Sequence, residues 1–472
     1  MAERLDVDLC VIGGGSGGLS VAAGASQLGQ KTVLVERAKM GGDCLNYGCV
    51  PSKATLAASR AAVAIREAAR FGISAGEPQI DYAKLREHVR GVIAAIAPND
   101  SVERFTGLGV RVIQEPARFT GPDEIEAGEF RVRARRFVIA TGSSAALPLI
   151  PGLRDGPYLT NETVFDLDSR PEHLIVIGGG PIGCELAQAH RRLGARVTLL
   201  EAAVLLPKDD PETADIVRQA LRHDGVESRD GVSIVRVEHG GGVACVLDGG
   251  ERIAGSHLLV AAGRRPTVDG LNLEAAGVAY TQKGIQVDAK LRTSNRRVYA
   301  IGDCVGGYQF THMAGYHAGI VIRHALFRLP WTRVDTSAVP WVTYTEPELA
   351  QVGLTEAEGR KRLGDGLRLA RWPFHENDRA QAERRTEGLI KIVADKRGRI
   401  HGASLVGPQA GELLLPWCLA ISRKLTLRDM AGVIAPYPTL SEVSKRVAGS
   451  FFTPTLFSPK TRRLVRFLAR FG

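Results

Sequence analysis

Cys44 and Cys49 stand five positions apart in the run Gly41-Gly42-Asp43-Cys44-Leu45-Asn46-Tyr47-Gly48-Cys49-Val50-Pro51-Ser52-Lys53. On a straight α-helix that offset separates the Cα atoms by about 8 Å, beyond the roughly 4.4–6.8 Å that a disulfide spans. A bridge between them requires a bent or unwound turn, and Gly48 supplies backbone freedom beside Cys49. A strained, locally closed bridge is easier to reduce than a structural one. The alternative is two ordinary buried thiols. Dinucleotide-binding sequence on both sides of the run favours redox chemistry.

Two elements must position these sulfurs. The apolar run Leu9-Cys10-Val11-Ile12 has the texture of a buried parallel strand. It feeds a G-x-G-x-x-G at Gly13, Gly15 and Gly18, followed by a predicted helix through Leu28 and a strand Lys31 to Val35 that ends on Glu36. The first glycine turns the chain, the second lets a pyrophosphate approach, and the third packs helix on strand. The helix N-terminus attracts the phosphates, and Glu36 can accept from ribose hydroxyls. The pattern recurs: Leu174-Ile175-Val176-Ile177 enters Gly178, Gly180 and Gly183, and Arg196 to Leu200 ends on Glu201. Both acids lie 23 residues past the first glycine. This duplication implies two dinucleotides in one chain.

The run 41–53 resembles the redox-active disulfide of the flavoprotein disulfide reductases, which include dihydrolipoamide dehydrogenase, glutathione reductase and mercuric reductase. The resemblance covers nearly the whole chain. It implies FAD at the first nucleotide site, held by Gly13, Gly15, Gly18, Glu36, Gly42 and Lys53. The Ala140-Thr141-Gly142 turn would lie close to it, as would a second flavin motif, Val298 to Asp303, with Gly302 and Asp303. Asp303 would bond a ribitol hydroxyl, and the helix after Phe310, with Ala314, would begin near the flavin. A nicotinamide dinucleotide would occupy Gly178, Gly180, Gly183 and Glu201, a domain closed by Ala261 to Pro266 with Gly263 and Arg264. Glu201 welcomes a free 2′-hydroxyl, and no arginine stands among Ala202 to Leu206, so NADH is expected over NADPH. The resemblance also implies a relay from NADH through FAD to a Cys44–Cys49 disulfide. Cys49 would lie against the flavin as a charge-transfer thiolate, and Cys44 would meet the acceptor. Lys53 would pair with Glu185 beneath the flavin and lower thiolate pKa values. His312 is read as a packing or hydrogen-bonding residue rather than a catalytic base.

From Ala338 the texture changes. Pro340 to Ala350 and Val352 to Glu356 resemble the start of the family's dimerisation domain, with a strand at Gly388 to Val393 and a helix at Glu412 to Ile421 expected after it. Dihydrolipoamide dehydrogenase carries a histidine followed five positions later by a glutamate, a pair that reaches across the dimer and shuttles protons. Here Tyr437 takes the histidine position and Glu442 is kept. A tyrosine, with an ordinary pKa of about 10, cannot shuttle protons near neutrality as imidazole does. Mercuric reductase also has tyrosine there, but delivers its metal through a C-terminal cysteine pair. The last cysteine here is Cys418. The extra N-terminal metal-binding domain of many mercuric reductases is not seen either. The chain therefore resembles a mercuric-reductase-like branch without the delivery thiols. The acceptor is expected to be a metal ion or a small disulfide. The alternatives are dihydrolipoamide dehydrogenase proper and a membrane-associated redox sensor or electron-transfer partner. No resident metal is expected.

The expected fold is α/β: two Rossmann-like dinucleotide-binding domains and an α+β dimerisation domain. The first part of the FAD domain is placed at 1–150, the NAD(P) domain at 151–284, a returning FAD segment at 285–337, the dimerisation domain at 338–457 and a basic amphipathic tail at 458–472. The domain at 338–457 would make a homodimer. With 44% apolar and 24% charged residues the composition is that of an ordinary globular protein. No apolar run is long enough to span a membrane. The N-terminal stretch from Met1 to Asp8 carries acids and no long apolar region, so it is not expected to act as a signal peptide. Seven cysteines are too few for a secreted disulfide scaffold, and the five scattered ones, Cys10, Cys184, Cys245, Cys304 and Cys418, point to a cytoplasmic protein. The formal charge of +10 is widely spread and no nucleic-acid module appears, so no specific nucleic-acid partner is expected. In the tail, Ser458 can cap a helix whose Leu464, Phe467, Leu468 and Phe471 share one side, with Lys460, Arg462, Arg463, Arg466 and Arg470 around them. Such a helix suits the inner membrane face or packing on its own dimer.

Overall fold

A computed structural model describes residues 3–471; Met1 and Ala2 of the N-terminal stretch and Gly472 of the tail lie outside the described residues. The chain divides into two compact units. The first holds the residues up to Gly178 with Arg192–Val197 and Ser233–Asp335, and the second holds Gly179–Arg191, Thr198–Val232 and the residues from Thr336 onward.

A seven-stranded sheet organises the first unit. Its parallel part runs Val110–Ile113, Thr32–Val35, Glu3–Ile12 and Phe130–Ile139, and Val298–Ala300 returns to pair with the end of Phe130–Ile139. Glu124–Ala127 and Ala117–Gly121 continue the sheet as antiparallel strands from the start of Phe130–Ile139. The register sets Ile12 beside Val35 and Ile139, and Ile139 beside Ala300. Gly13, Glu36, Ala140 and Gly302 therefore all leave the sheet just beyond one carboxyl edge, where α/β sheets bind nucleotides.

Period-two alternation explains the continuous apolar runs. Leu9 and Val11 face the helices Ser16–Gln27 and Thr311–Ala325, while Cys10 and Ile12 face the opposite core with Phe137 and Ile139. From Leu9 to Ile12 both faces of the strand are buried, so every position there must be apolar. Small residues let the two helices approach: a Cβ on Gly17 would lie 3.2 Å from the Ala314 Cβ.

The second unit contains a five-stranded antiparallel sheet in the order Pro340–Thr343, Glu348–Gly353, Ile400–Gly407, Leu389–Ala394, Arg368–Pro373. Trp417, Val443 and Val447 pack into its core. The helix expected from Glu412 to Ile421 is broken into Ala410–Leu413 and Leu415–Ser422. Pro416 has no amide hydrogen to continue the ladder. Lys391, on a central strand and 2% exposed, reaches Asp210 at 2.5 Å, Glu212 at 2.7 Å and Glu356 at 3.0 Å. Burial alone would lower its pKa; the three carboxylates outweigh that and raise it. Among the described residues no helix is long and apolar enough to cross a membrane.

Candidate redox and cofactor site

The two glycine loops are built alike. Gly13 and Gly178 have φ of 111° and 110°. A Cβ on either would sit 2.4 Å from a carbonyl oxygen, that of Ala140 or Ala261. A Cβ on Gly18 would strike the Gly13 carbonyl oxygen at 1.8 Å. The middle glycines differ: the nearest atom to a Cβ on Gly15 is 3.8 Å away, and none lies within 4 Å at Gly180. The outer glycines thus close the turn, and the middle one leaves room for a ligand. No side chain caps the helix Ser16–Gln27 at Gly15, so its first amides face the loop as an anion site. This cradle fits a dinucleotide pyrophosphate. The acids have a second task that the sequence reading lacked. Glu36 accepts from Gly14 N at 2.5 Å and Ala38 N at 2.7 Å, and Glu201 from Gly179 N at 2.6 Å and Ala203 N at 2.9 Å. Each fastens its own loop and keeps further lone pairs for a ribose.

The cysteine run is laid directly on the first loop. Gly41 N donates to the Gly14 carbonyl at 2.9 Å, and a Cβ on Gly42 would meet the Gly15 Cα at 2.7 Å. Cys44 lies in the short helix Gly42–Asn46, the chain unwinds at Tyr47 and Gly48, and Cys49 opens the helix Cys49–Glu67. A Cβ on Gly48 would come within 2.9 Å of the Asp43 carboxylate. The break brings the sulfurs together as free thiols, with Cys44 hydrogen-bonded to Cys49.

Their protonation is split. The Cys44 hydrogen bond is the main cause that pulls Cys49 down to about 6. Exclusion of water by neighbouring atoms and the Asp43 charge oppose this; the Thr311 hydroxyl and the Lys53 charge reinforce it. The proton stays on Cys44, whose pKa is raised by the same hydrogen bond and by burial. The Cys49 sulfur lies 3.5 Å from the Thr311 Oγ1, at the first turn of the helix Thr311–Ala325.

A polar network holds the start of the redox run. Asn161 donates to Asp43 at 3.0 Å and to the Tyr47 carbonyl at 3.2 Å. Arg264 lies 3.1 Å from the other Asp43 oxygen and donates to Ser143 Oγ at 2.7 Å; Ser143 in turn donates to Asp303 at 2.6 Å. Burial raises the Asp303 pKa, which the Ser143 hydrogen bond and Arg264 partly offset. Gly302 N donates to Nδ1 of the buried His317, and burial lowers that imidazole's pKa. Thr141 Oγ1 donates to the Thr267 carbonyl at 2.6 Å beside Gly142, whose φ is 69°. Gly263, before Arg264, has φ of 111° and open space around it.

The remaining expected residues are placed as follows. Lys53 is half-buried on the helix Cys49–Glu67 in the first unit. Glu185 is buried on Pro181–Arg192 in the second, where its carboxylate accepts from Tyr344 N at 3.0 Å. Gly183 lies buried on that helix. Ala314 packs where Gly17 and Gly302 would otherwise carry side chains. The exposed His312 ring stacks on Phe310 at 5.1 Å. Tyr437 is 68% exposed, and its hydroxyl donates to Asp378 at 2.7 Å, which raises its pKa. Glu442 is paired with Arg446. Thr311, Ser143, Asn161 and His317 were absent from the sequence reading of the site. Only Thr311 carried a signal, its position beside a helix expected near the flavin.

Comparison with known proteins agrees with this geometry. The family model described as pyridine nucleotide-disulphide oxidoreductase matches residues 7–318, and that for its dimerisation domain matches 339–448. A mercuric reductase of Bacillus cereus is 35% identical over 453 residues, covering 94% of this chain and 72% of the relative. A dihydrolipoyl dehydrogenase of Thermus scotoductus is 39% identical over 451 residues, covering 92% and 95%. The Cu(II) complex of the HOCl-induced flavoprotein disulfide reductase RclA from Escherichia coli superposes with a TM-score of 0.85 at 26% identity, covering 94% and 99%. The chain therefore belongs to the pyridine nucleotide-disulphide oxidoreductases, as a homodimeric flavoprotein oxidoreductase that uses FAD and a pyridine nucleotide.

Proposed function

We propose that this oxidoreductase draws on NADH and reduces a thiophilic metal ion through the Cys44–Cys49 pair. The observation that carries the acceptor class is Tyr437. Its hydroxyl is committed to Asp378 and its pKa is raised, so the position lacks a group that exchanges protons near neutrality. Thiol–disulfide exchange needs such a group to protonate the departing thiolate. A soft cation needs none, because it binds thiolate directly and releases the thiol proton to water.

Gly13, Gly15, Gly18, Glu36, Gly42, Lys53, Thr141, Gly142, Gly302, Asp303 and Ala314 would hold FAD, which supplies the two-electron couple between nicotinamide and disulfide when bound. Gly178, Gly180, Gly183, Glu201, Gly263 and Arg264 are assigned to the nicotinamide dinucleotide. NADH is favoured because Glu201 repels a 2′-phosphate and the nearest arginine on the adjacent helix, Arg218, donates to the Leu205 carbonyl instead. Two electrons and one proton open the S–S bond, leaving Cys49 as thiolate and Cys44 as thiol. The cation displaces the Cys44 proton to solvent. Two electrons then pass to one divalent ion, or one each to two, and the S–S bond re-forms.

The Cu(II) complex of RclA supports a metal acceptor. A second reading, oxidation of dihydrolipoamide, is supported by the 39% identity to the Thermus enzyme. Steady-state assays of purified protein with NADH and a panel of Hg(II), Cu(II), lipoamide and glutathione disulfide separate the two. Turnover confined to the metal ions is expected; lipoamide turnover at the level of histidine-bearing relatives would overturn the proposal.

A further inference from the structure

The last helix, Pro459–Leu468, is capped by Ser458, whose hydroxyl accepts from Thr461 N at 3.2 Å. None of its residues is buried, and Thr461 Oγ1 donates back to the Thr455 carbonyl at 2.8 Å. Leu464, Val465, Phe467 and Leu468 are each more than half exposed, and Phe471, just beyond, is 75% exposed. At 100° per residue, Leu464, Phe467 and Leu468 fall within an arc of about 100°, with Lys460 at the start of the helix on the same side. Arg462, Arg463 and Arg466 fall within a similar arc on the opposite side, and Arg470 lies in the turn just beyond the helix. The Phe467 and Phe471 rings meet edge-to-face at 5.1 Å, which ties the turn after the helix to its apolar side. Leu456 and Phe457, immediately before the cap, are also more than half exposed. Residues 458–472 carry five cations and no acid. The segment lies past residue 448, where the match to the family's dimerisation domain ends.

We propose that residues 458–472 bind the surface of an anionic lipid bilayer. The apolar arc enters the headgroup boundary, and the arginine arc meets lipid phosphates. Charge complementarity selects this occupant. A purely apolar partner would leave four arginines unanswered, whereas an anionic surface takes both arcs at once. The helix is ten residues long, about 15 Å, so it lies on the surface and does not cross.

The test uses full-length holoenzyme sedimented with vesicles of phosphatidylcholine alone or of phosphatidylcholine with phosphatidylglycerol. Full-length protein is expected to pellet with the anionic vesicles only and to be released by about 0.5 M salt. R462Q with R466Q should weaken binding by about 5-fold per charge removed. F467S with L468S should abolish binding while NADH turnover with a soluble acceptor stays unchanged. Equal pelleting of the full-length chain and a chain ending at Phe457 would overturn the proposal. So would equal binding to both vesicle types. Conversion of the dimer to a monomer by that truncation would also overturn it, since the tail would then belong to the subunit contact.

Discussion

The Thr311 hydroxyl lies 3.5 Å from the Cys49 sulfur, although 262 residues separate the two in the chain. The strand Val298–Ala300 makes this possible by returning to the sheet beside Phe130–Ile139, so that the helix it feeds starts against the redox pair. The thiolate is thereby stabilised from both sides, by Cys44 within its own run and by Thr311 from the returning segment. Because the folded-state pKa is depressed, the Cys49 thiolate is present above about pH 6 and is lost as pH falls through that value. Anaerobic NADH reduction should produce a long-wavelength absorbance band that disappears along this titration. T311V should move its midpoint up by roughly one pH unit, and C44A, whose Cys49 is a free thiol without NADH reduction, should move it further in the oxidised protein, because the Cys44 hydrogen bond is the larger cause. An unmoved midpoint in both variants would show that neither group sets the thiolate.

Arg264 joins Asp43, one residue before Cys44, to Ser143 and through it to Asp303. Its planar fork sets one nitrogen on Ser143 Oγ and another beside Asp43 in a single rigid geometry, which the point charge of a lysine does not reproduce. R264K is therefore expected to lower NADH-dependent turnover by about 10-fold, nearly as much as R264Q. In a double-mutant cycle, R264Q and D43N should show coupling of about 1–2 kcal/mol. Additive effects would mean that the two residues act apart.

Lys391 meets three carboxylates in a place almost free of solvent. Removing the cation leaves the buried Asp210 without its ion-pair partner, while Glu212 and Glu356 keep Arg371. K391M should cost about 3–5 kcal/mol in denaturant unfolding. K391M combined with D210N should recover part of that loss. Wild-type stability of K391M alone would count against the network.

Tyr437 is the residue on which the acceptor class turns. Y437H restores an imidazole at the position, and general acid–base help is worth about 100-fold or more. Turnover with lipoamide or glutathione disulfide should rise by at least about 10-fold in Y437H, with little change toward a soft metal ion. An unchanged disulfide rate would remove the reason for preferring metal.

Much of this was legible in the residues because it is encoded locally. Gly13 and Gly178 need a conformation and a clearance that only glycine allows, Glu36 and Glu201 fall one strand later, and the Gly48 break shows in the five-residue spacing of the cysteines. What was not legible is encoded by the sheet. Ser143, Asn161 and His317 have no local pattern that sets them apart; Ser143 and His317 follow strands whose parallel register ends at one edge, and Asn161 follows Leu159, which bridges Leu259. Lys391 sits in an apolar strand, where its sequence neighbours hide its partners 35 to 181 residues away. Pro416 was visible in the sequence, but the apolar run from Leu413 to Ile421 masked the break it causes.

The most direct test of the central claim, that electrons leave through the paired sulfurs, is an anaerobic reductive titration with dithionite of the wild type and of C44S with C49S. The wild type should take up one two-electron equivalent more per chain than the double variant, and the double variant should lose NADH-dependent reduction of the acceptor. Equal uptake, or equal turnover with both sulfurs replaced, would contradict it.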